Sequence, residues 1–152
     1  CYGLQKPLIA VGSLDALTEV AREDYEAGIL SVSDWDRALL CPMVDARRME
    51  VYAQVFDAEG RPQNEVTAEV IDAGSFREFR EQGRPFVIFG SGARKCAEVL
   101  AGAEFVEVAP SARGLARLAQ QALDEGRTED IAYFEPFYLK DFVVTTSKKS
   151  LF

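Results

Sequence analysis

Ala38-Leu-Leu-Cys-Pro-Met-Val44, followed by Met49-Glu-Val-Tyr-Ala-Gln-Val-Phe-Asp57, is the stretch on which the fold turns. Met49, Val51, Ala53 and Val55 recur every second residue, so they share one side of a strand. The apolar run before them, interrupted at Pro42, is its expected partner. Glu59-Gly60-Arg61-Pro62 carries turn chemistry, and residues 66–71 form a further strand. Three strands joined by short connections predict an antiparallel meander.

Downstream the pattern changes. Ser75 is placed to cap a short helix ending near Gln82, and Pro85-Phe-Val-Ile-Phe89 is a continuous apolar run suited to a strand covered on both faces. Gly90-Ser91-Gly92 then leads into a helix over 93–100, and residues 104–108 make a short strand. Ser111 is the expected cap of an amphipathic helix whose apolar face is Leu115, Leu118, Ala119, Ala122 and Leu123, closed by Gly126. Residues 133–142 are rich in aromatics and expected to dock on the fold, with Tyr138 and Leu139 as anchors beside Pro136; residues 143–152 form a polar tail.

Upstream, residues 8–12 predict a short strand, and Ser13 is the expected N-cap of a helix over 14–25. Leu14, Leu17, Val20 and Ala21 mark its packed side, while Asp15, Glu19, Glu23 and Asp24 mark its wet side. Gly28 stops it, residues 31–35 carry turn signals, and a lobe boundary is expected near Arg37. Strands followed by alternating helix and strand predict an α/β architecture with a mixed sheet.

At 152 residues, 48% hydrophobic and 28% charged, the chain suits one domain or two small lobes sharing a core. No apolar run approaches the roughly 18 residues that span a bilayer, so the chain is expected to be soluble and away from membranes, and its cysteine usage is that expected of a cytoplasmic protein. Twenty-five acidic against seventeen basic residues give a net charge of −8, a field that repels nucleic-acid phosphate. There is no histidine, which removes His-based metal sites and Ser-His or Cys-His nucleophile pairs. Cys1, Cys41 and Cys96 are odd in number and widely spaced, and are expected to be reduced thiols. The abrupt opening at Cys1 is expected not to be the native start.

Several groups are candidates for chemistry, each with a plainer alternative. Gly90-Ser91-Gly92, between a buried strand and a helix, is a place where backbone N–H groups receive phosphate, or an ordinary strand-to-helix turn. It lacks the third glycine of a dinucleotide fingerprint, and Lys95 is followed by Cys96 rather than Ser or Thr. Asp45-Ala-Arg47-Arg48-Met-Glu50 gathers charge at a corner that would serve Mg²⁺ or phosphate, or instead an Asp–Arg-paired turn or partner-facing patch. Cys96, one turn into its helix, is either a thiol acidified by the dipole or a buried small hydrophobe. Glu19, Glu23, Glu26, Glu78 and Glu81 are expected on solvated helix faces. Trp35 and the aromatics of residues 133–142 suit an interface hot spot or a stacking surface, with core packing the plainer expectation.

Three stretches carry a resemblance: Gly3-Leu-Gln-Lys-Pro-Leu-Ile-Ala-Val-Gly-Ser-Leu14, Val44-Asp-Ala-Arg-Arg-Met-Glu-Val-Tyr52 and Glu135-Pro-Phe-Tyr-Leu-Lys140. With these, residues 1–142 resemble the C-terminal part of the TsaB (YeaZ) family, glycoprotease-like M22 paralogues of the ASKHA (actin-like ATPase, RNase H-like) fold. The resemblance implies a remnant of the N-terminal lobe over 1–40, the C-terminal lobe over 41–142 and a tail over 143–152. It implies that Asp45, Gly90, Ser91 and Gly92 are degraded remnants of a nucleotide site, with Arg47 and Arg48 where small glycines would admit phosphate. Asp45, Arg47, Glu50, Tyr52, Glu135, Pro136, Tyr138 and Leu139 are implied to be structural motif residues. The family implies a non-catalytic scaffold in the synthesis of N6-threonylcarbamoyladenosine in tRNA. Its implied partners are the transferase TsaD and the ATPase TsaE, with tRNA touched only indirectly and a homodimer possible. No cofactor and no metal is implied. Different readings are an M22-type peptidase or ATPase, or a nucleotide-binding regulatory module using Asp45, Ser91 and Gly92.

Overall fold

The computed structural model describes residue 6 and residues 8–129. The elements run α1 (Ser13–Glu26), a 3₁₀ turn (Trp35–Arg37), β1 (Leu39–Asp45), β2 (Glu50–Ala53), β3 (Phe56–Asp57), β4 (Thr67–Val70), α2 (Arg77–Arg80), β5 (Phe86–Phe89), α3 (Ala93–Cys96), β6 (Glu104–Phe105) and α4 (Arg113–Asp124). The sheet is mixed. Its order is β4-β2-β1-β5-β6, with the short β3 pairing β1. The meander is antiparallel (Met43 opposite Ala53, Val51 opposite Glu69), whereas β1, β5 and β6 are parallel (Cys41 beside Ile88, Ile88 beside Phe105). Anticipated from spacing alone, the mixed α/β sheet is present.

Strand alternation builds two cores, one on each face of the sheet. Leu39, Cys41, Met43, Val51, Ala53, Val55, Phe86 and Ile88 face Phe76, Ala93, Cys96 and Leu100. Leu40, Phe56, Val87 and Phe89 face the α1 residues Leu14, Leu17, Val20 and Ala21. All four residues of β5 are buried, as a strand covered on both faces requires.

Several local expectations are corrected. Pro42 does not interrupt β1. It falls opposite the gap where the antiparallel neighbour changes from β3, paired to Leu40, to β2, paired to Met43, so its missing N–H costs no ladder bond there. Residues 8–12 form no strand. Leu8 makes a single bridge to Glu129, whose N–H it accepts, and residues 9–12 have no strand beside them among the described residues. Gly12, not Ser13, is the N-cap of α1, its carbonyl accepting from Ala16 N–H. At the other end the helix stops before Gly28 as anticipated, and Gly28 takes φ +75°.

Ser75 does not cap α2, because its hydroxyl is engaged in a turn with Asp72, accepting from Asp72 N–H at 3.0 Å. Phe76 stands at the N-cap in a left-handed conformation, and α2 is one turn long. α3 is likewise a single turn ending at Cys96, shorter than expected, and β6 covers only Glu104–Phe105. α4 starts at Arg113 with Ala112 at its N-cap, while the Ser111 hydroxyl accepts from Arg113 N–H at 3.2 Å.

The apolar face of α4 is the largest correction. Leu115 and Leu123 are exposed, at 42% and 43%, and the buried positions are Gly114 and Ala122. α4 meets α1 so closely at Gly114 that no side chain fits there; Leu118 and Ala119 are half-buried, and Leu115 and Leu123 turn outward. The wet side assigned to α1 is corrected with it: Glu19 and Asp24 are buried beneath α4, held by Arg117 at 3.1 Å and Arg113 at 3.0 Å. Trp35 is half-buried and stacks on Tyr25, centroids 4.2 Å apart and planes 5° from parallel. No helix among the described residues is long and apolar enough to cross a membrane.

Candidate functional site

The candidate site forms where the ends of β1 and β5 lie side by side. Parallel strands carry the Asp45 corner and the Gly90-Ser91-Gly92 loop out at the same edge of the sheet, so residues 46 apart in sequence meet. Asp45 N–H donates to Ser91 Oγ at 3.0 Å, and Gly92 N–H donates to the Met43 carbonyl at 2.9 Å. Asp45, Ser91, Gly90 and Gly92 are thus brought together.

What fills the loop is the chain itself. Gly90 has φ +105°, and a Cβ there would stand 2.4 Å from the Met43 carbonyl oxygen. A Cβ on Gly92 would stand 2.7 Å from Val51 Cγ1 and 3.2 Å from Asp45 N. Both glycines are therefore required by the close approach of β1 and β2 to the loop. The N–H groups of Gly92 and Ala93 are spent on the Met43 and Gly90 carbonyls. A phosphate-binding loop holds its N–H groups open toward a ligand.

The Asp45 carboxylate folds back onto its own corner. Oδ1 accepts Arg47 N–H at 3.0 Å and pairs with the ammonium of Lys95, which also donates to the Glu50 carbonyl at 2.9 Å. The Lys95 contact above all, then the Arg47 N–H, holds the Asp45 carboxyl below its ordinary pKa. The anticipated Asp–Arg side-chain pair is corrected: the partner is Lys95, one turn into α3 and brought over the corner by the β1–β5 pairing. Sequence reading treated Lys95 only as a mismatch to a phosphate loop; its position four residues after Ser91 was the available signal.

Arg47 and Arg48 both take left-handed conformations, φ +82° and +47°, and both are exposed. Successive left-handed residues match the twist of a tight antiparallel corner. They project two cations into solvent, and neither forms an ion pair among the described residues. Glu50 and Tyr52 lie on β2 and are half-buried, with Tyr52 opposite Val44 and Ala68. Glu135, Pro136, Tyr138 and Leu139 lie outside the described residues.

Cys96 is buried, and that burial raises its thiol pKa; nearby Lys95 opposes the rise and Asp45 adds to it. The acidified-thiol alternative is thereby corrected, because desolvation outweighs any helix-end effect in a one-turn helix. Cys41 is buried in the same core, with its thiol pushed far up by desolvation. Both are free thiols. Among the described residues no three His, Cys, Asp or Glu side chains converge as metal ligands.

No protein-family model matches the chain, and no curated protein matches it. Solved structures do. A Pseudomonas aeruginosa protein described as similar to peptidase YeaZ superposes with TM-score 0.64 at 20% identity, covering 91% of this chain and 62% of that one. YeaZ from Pseudomonas aeruginosa superposes with TM-score 0.67 at 19% identity, covering 90% of this chain and 62% of that one. The chain therefore spans about three-fifths of the length of these structures. Mixed sheet, flanking helices and superposition together give a YeaZ-like fold, consistent with the ASKHA type.

Proposed function

We propose that this chain acts as a non-catalytic scaffold of the TsaB kind, supporting a TsaD-type transferase in the threonylcarbamoylation of tRNA adenosine, with a TsaE-type ATPase as co-worker. The observation that carries the reading is the occupied loop. Gly90 and Gly92 press on the Met43 carbonyl and the Asp45 backbone, and Asp45 is committed to Lys95 and Arg47. A fold that elsewhere serves phosphate has here been closed by its own strands, which supports a role in assembly over turnover. The absence of histidine from the sequence points the same way. With it go the imidazole bases and ligands that peptidase chemistry commonly draws on. The exposed pair Arg47 and Arg48, held rigidly by the corner, suits a face presented to an acidic partner surface.

The reading is tested by co-purifying the chain with TsaD from the same organism, then measuring tRNA threonylcarbamoylation with TsaE present and the chain added or omitted. The scaffold reading expects co-elution and a dependence of modification on the chain. Neither co-elution nor dependence would remove it. Saturable Mg²⁺-ADP binding that protects the Ser91 and Gly92 amides would put a nucleotide-binding module in its place.

A further inference from the structure

At the opposite end of the parallel strands, where β5 begins and the loop into β6 passes, lies a cavity of about 290 Å³. Its wall carries Arg77, Arg80 and Arg84, three guanidiniums at helical spacing through α2 and its exit. The buried ring of Phe86 lines it too, and Gly102, at φ +84° with open space around it, keeps the far rim low.

Among the described residues the charge in this cavity is largely uncompensated. Arg80 is half-buried and donates to three carbonyls, Ala73 at 2.9 Å, Ser75 at 3.3 Å and Ala101 at 2.7 Å, which satisfy its N–H groups without neutralising it. Arg84, also half-buried, gives Nε to the Arg37 carbonyl at 2.7 Å. Neither pairs with a carboxylate among the described residues. Among the described residues Glu81 is the one carboxylate lining the cavity, and it lies 3.8 Å from Arg77, with both side chains well exposed. In a chain of net charge −8, two unpaired guanidiniums and a loosely held third around one concavity are an unusual local excess of positive charge.

We propose that this cavity is an anion site that takes the phosphate group of a small phosphorylated ligand. Arg80, pinned by carbonyls, supplies a fixed positive charge at the wall. Arg84 spends only Nε among the described residues, which leaves both terminal nitrogens for a bidentate contact, and Arg77 swings from Glu81 to close over the anion. The volume admits a phosphate with a compact organic group, which would lie against Phe86. The site is separate from the Asp45 corner and stands whether or not the scaffold reading does.

The test titrates ¹⁵N-labelled protein at low ionic strength with inorganic phosphate, adenosine 5′-monophosphate and adenosine, reading amide shifts. Phosphate and the monophosphate are expected to move the amides of residues 101–103 and Gly83 saturably, and adenosine is not. Arg84→Gln and Arg77→Gln each weaken binding about tenfold or more with thermal stability retained, and Arg84→Lys recovers part of the loss. Arg80 is left intact because its three carbonyl bonds join α2 to the α3–β6 loop. Tighter binding of the monophosphate than of phosphate identifies an ester as the ligand; equal binding identifies free phosphate. The proposal is overturned if no shift saturates, if the responding amides are those of residues 90–92, or if Arg84→Gln and Arg77→Gln bind as the parent does. It is also overturned if an RNA oligonucleotide saturates the site while phosphate and the monophosphate do not.

Discussion

Gly114 in α4 lies against the carbonyl of Ala16 in α1, so near that a Cβ on Gly114 would stand 2.1 Å from that oxygen and 2.9 Å from Val20 Cγ2. Helix propensity alone favours Gly114→Ala by about 1 kcal/mol. Contact geometry opposes it, since the atom met at the shortest range, the Ala16 carbonyl oxygen, belongs to the backbone of another helix. We expect a net loss of about 1–3 kcal/mol, seen as a lower denaturant midpoint at unchanged slope. A gain in stability would mean that the two helices separate without cost.

Gly90→Ala meets a strained conformation and a backbone collision together, at φ +105° and 2.4 Å from the Met43 carbonyl oxygen. The expected cost is about 2–4 kcal/mol. Unchanged stability would return the glycine to a ligand-binding explanation.

Glu19 is buried, with Arg22 donating to its Oε2 at 2.8 Å and Arg117 lying 3.1 Å from its Oε1. Glu19→Ala removes the shared anion, but both arginines can regain water, Arg117 easily at 57% side-chain exposure. A loss of about 1–3 kcal/mol is expected. Adding Arg117→Ala to Glu19→Ala should cost less than Arg117→Ala alone, and strict additivity in that cycle would deny the coupling.

Asp45 is held below the ordinary carboxylate value of 3.8 by Lys95 and the Arg47 N–H. A depressed folded-state pKa contributes stability above the unfolded value and loses it as pH falls through the folded value. Melting temperatures of the parent and Asp45→Asn should therefore differ slightly in neutral solution, in the parent's favour, and converge as the pH drops below 3.8. The gap stays small because the carboxylate is exposed. A gap that persists undiminished in acid would place the effect in something other than the charge.

Cys41 and Cys96 are buried and their thiol pKa values are raised by that burial. In a Cys1→Ser background neither should react with a thiol-disulfide reagent in the native state, and both should react on unfolding. Rapid native modification of Cys96 would revive the acidified-thiol reading.

The fold was legible in the sequence wherever a period was carried by large apolar side chains. Val51, Ala53 and Val55 alternate, and the structure buries all three in one core. Leu14, Leu17, Val20 and Ala21 repeat at helical spacing and pack as one face. In α4 the same reasoning held only in part: Ala122 is buried and Leu118 and Ala119 are half-buried, but the closest packing is at Gly114, which hydrophobic periodicity scores as nearly neutral, while Leu115 and Leu123 point outward. The short helices α2 and α3 were overextended for a related reason. Helix-forming residues continue past Arg80 and Cys96, but residues 81–83 and 97–103 are held as turns.

By itself the sequence determined most element types, though not residues 8–12, together with the antiparallel meander, the double-sided burial of β5 and the lack of imidazole chemistry, since each depends on residues close in the chain or on composition. Only the tertiary structure decided what the candidate loci are. Asp45 and Lys95 are 50 residues apart, and no local rule pairs them; parallel β1 and β5 do, by ending at one edge of the sheet. Gly90 and Gly92 resemble a phosphate loop in one dimension, and three dimensions show them pressed against the Met43 carbonyl and Val51, where any side chain would collide. Arg77, Arg80 and Arg84 belong to no motif along the chain. Ringed around a cavity with Ala101 and Phe86, they become a concentration of positive charge, because a field depends on where charges converge in space rather than on their order in the chain.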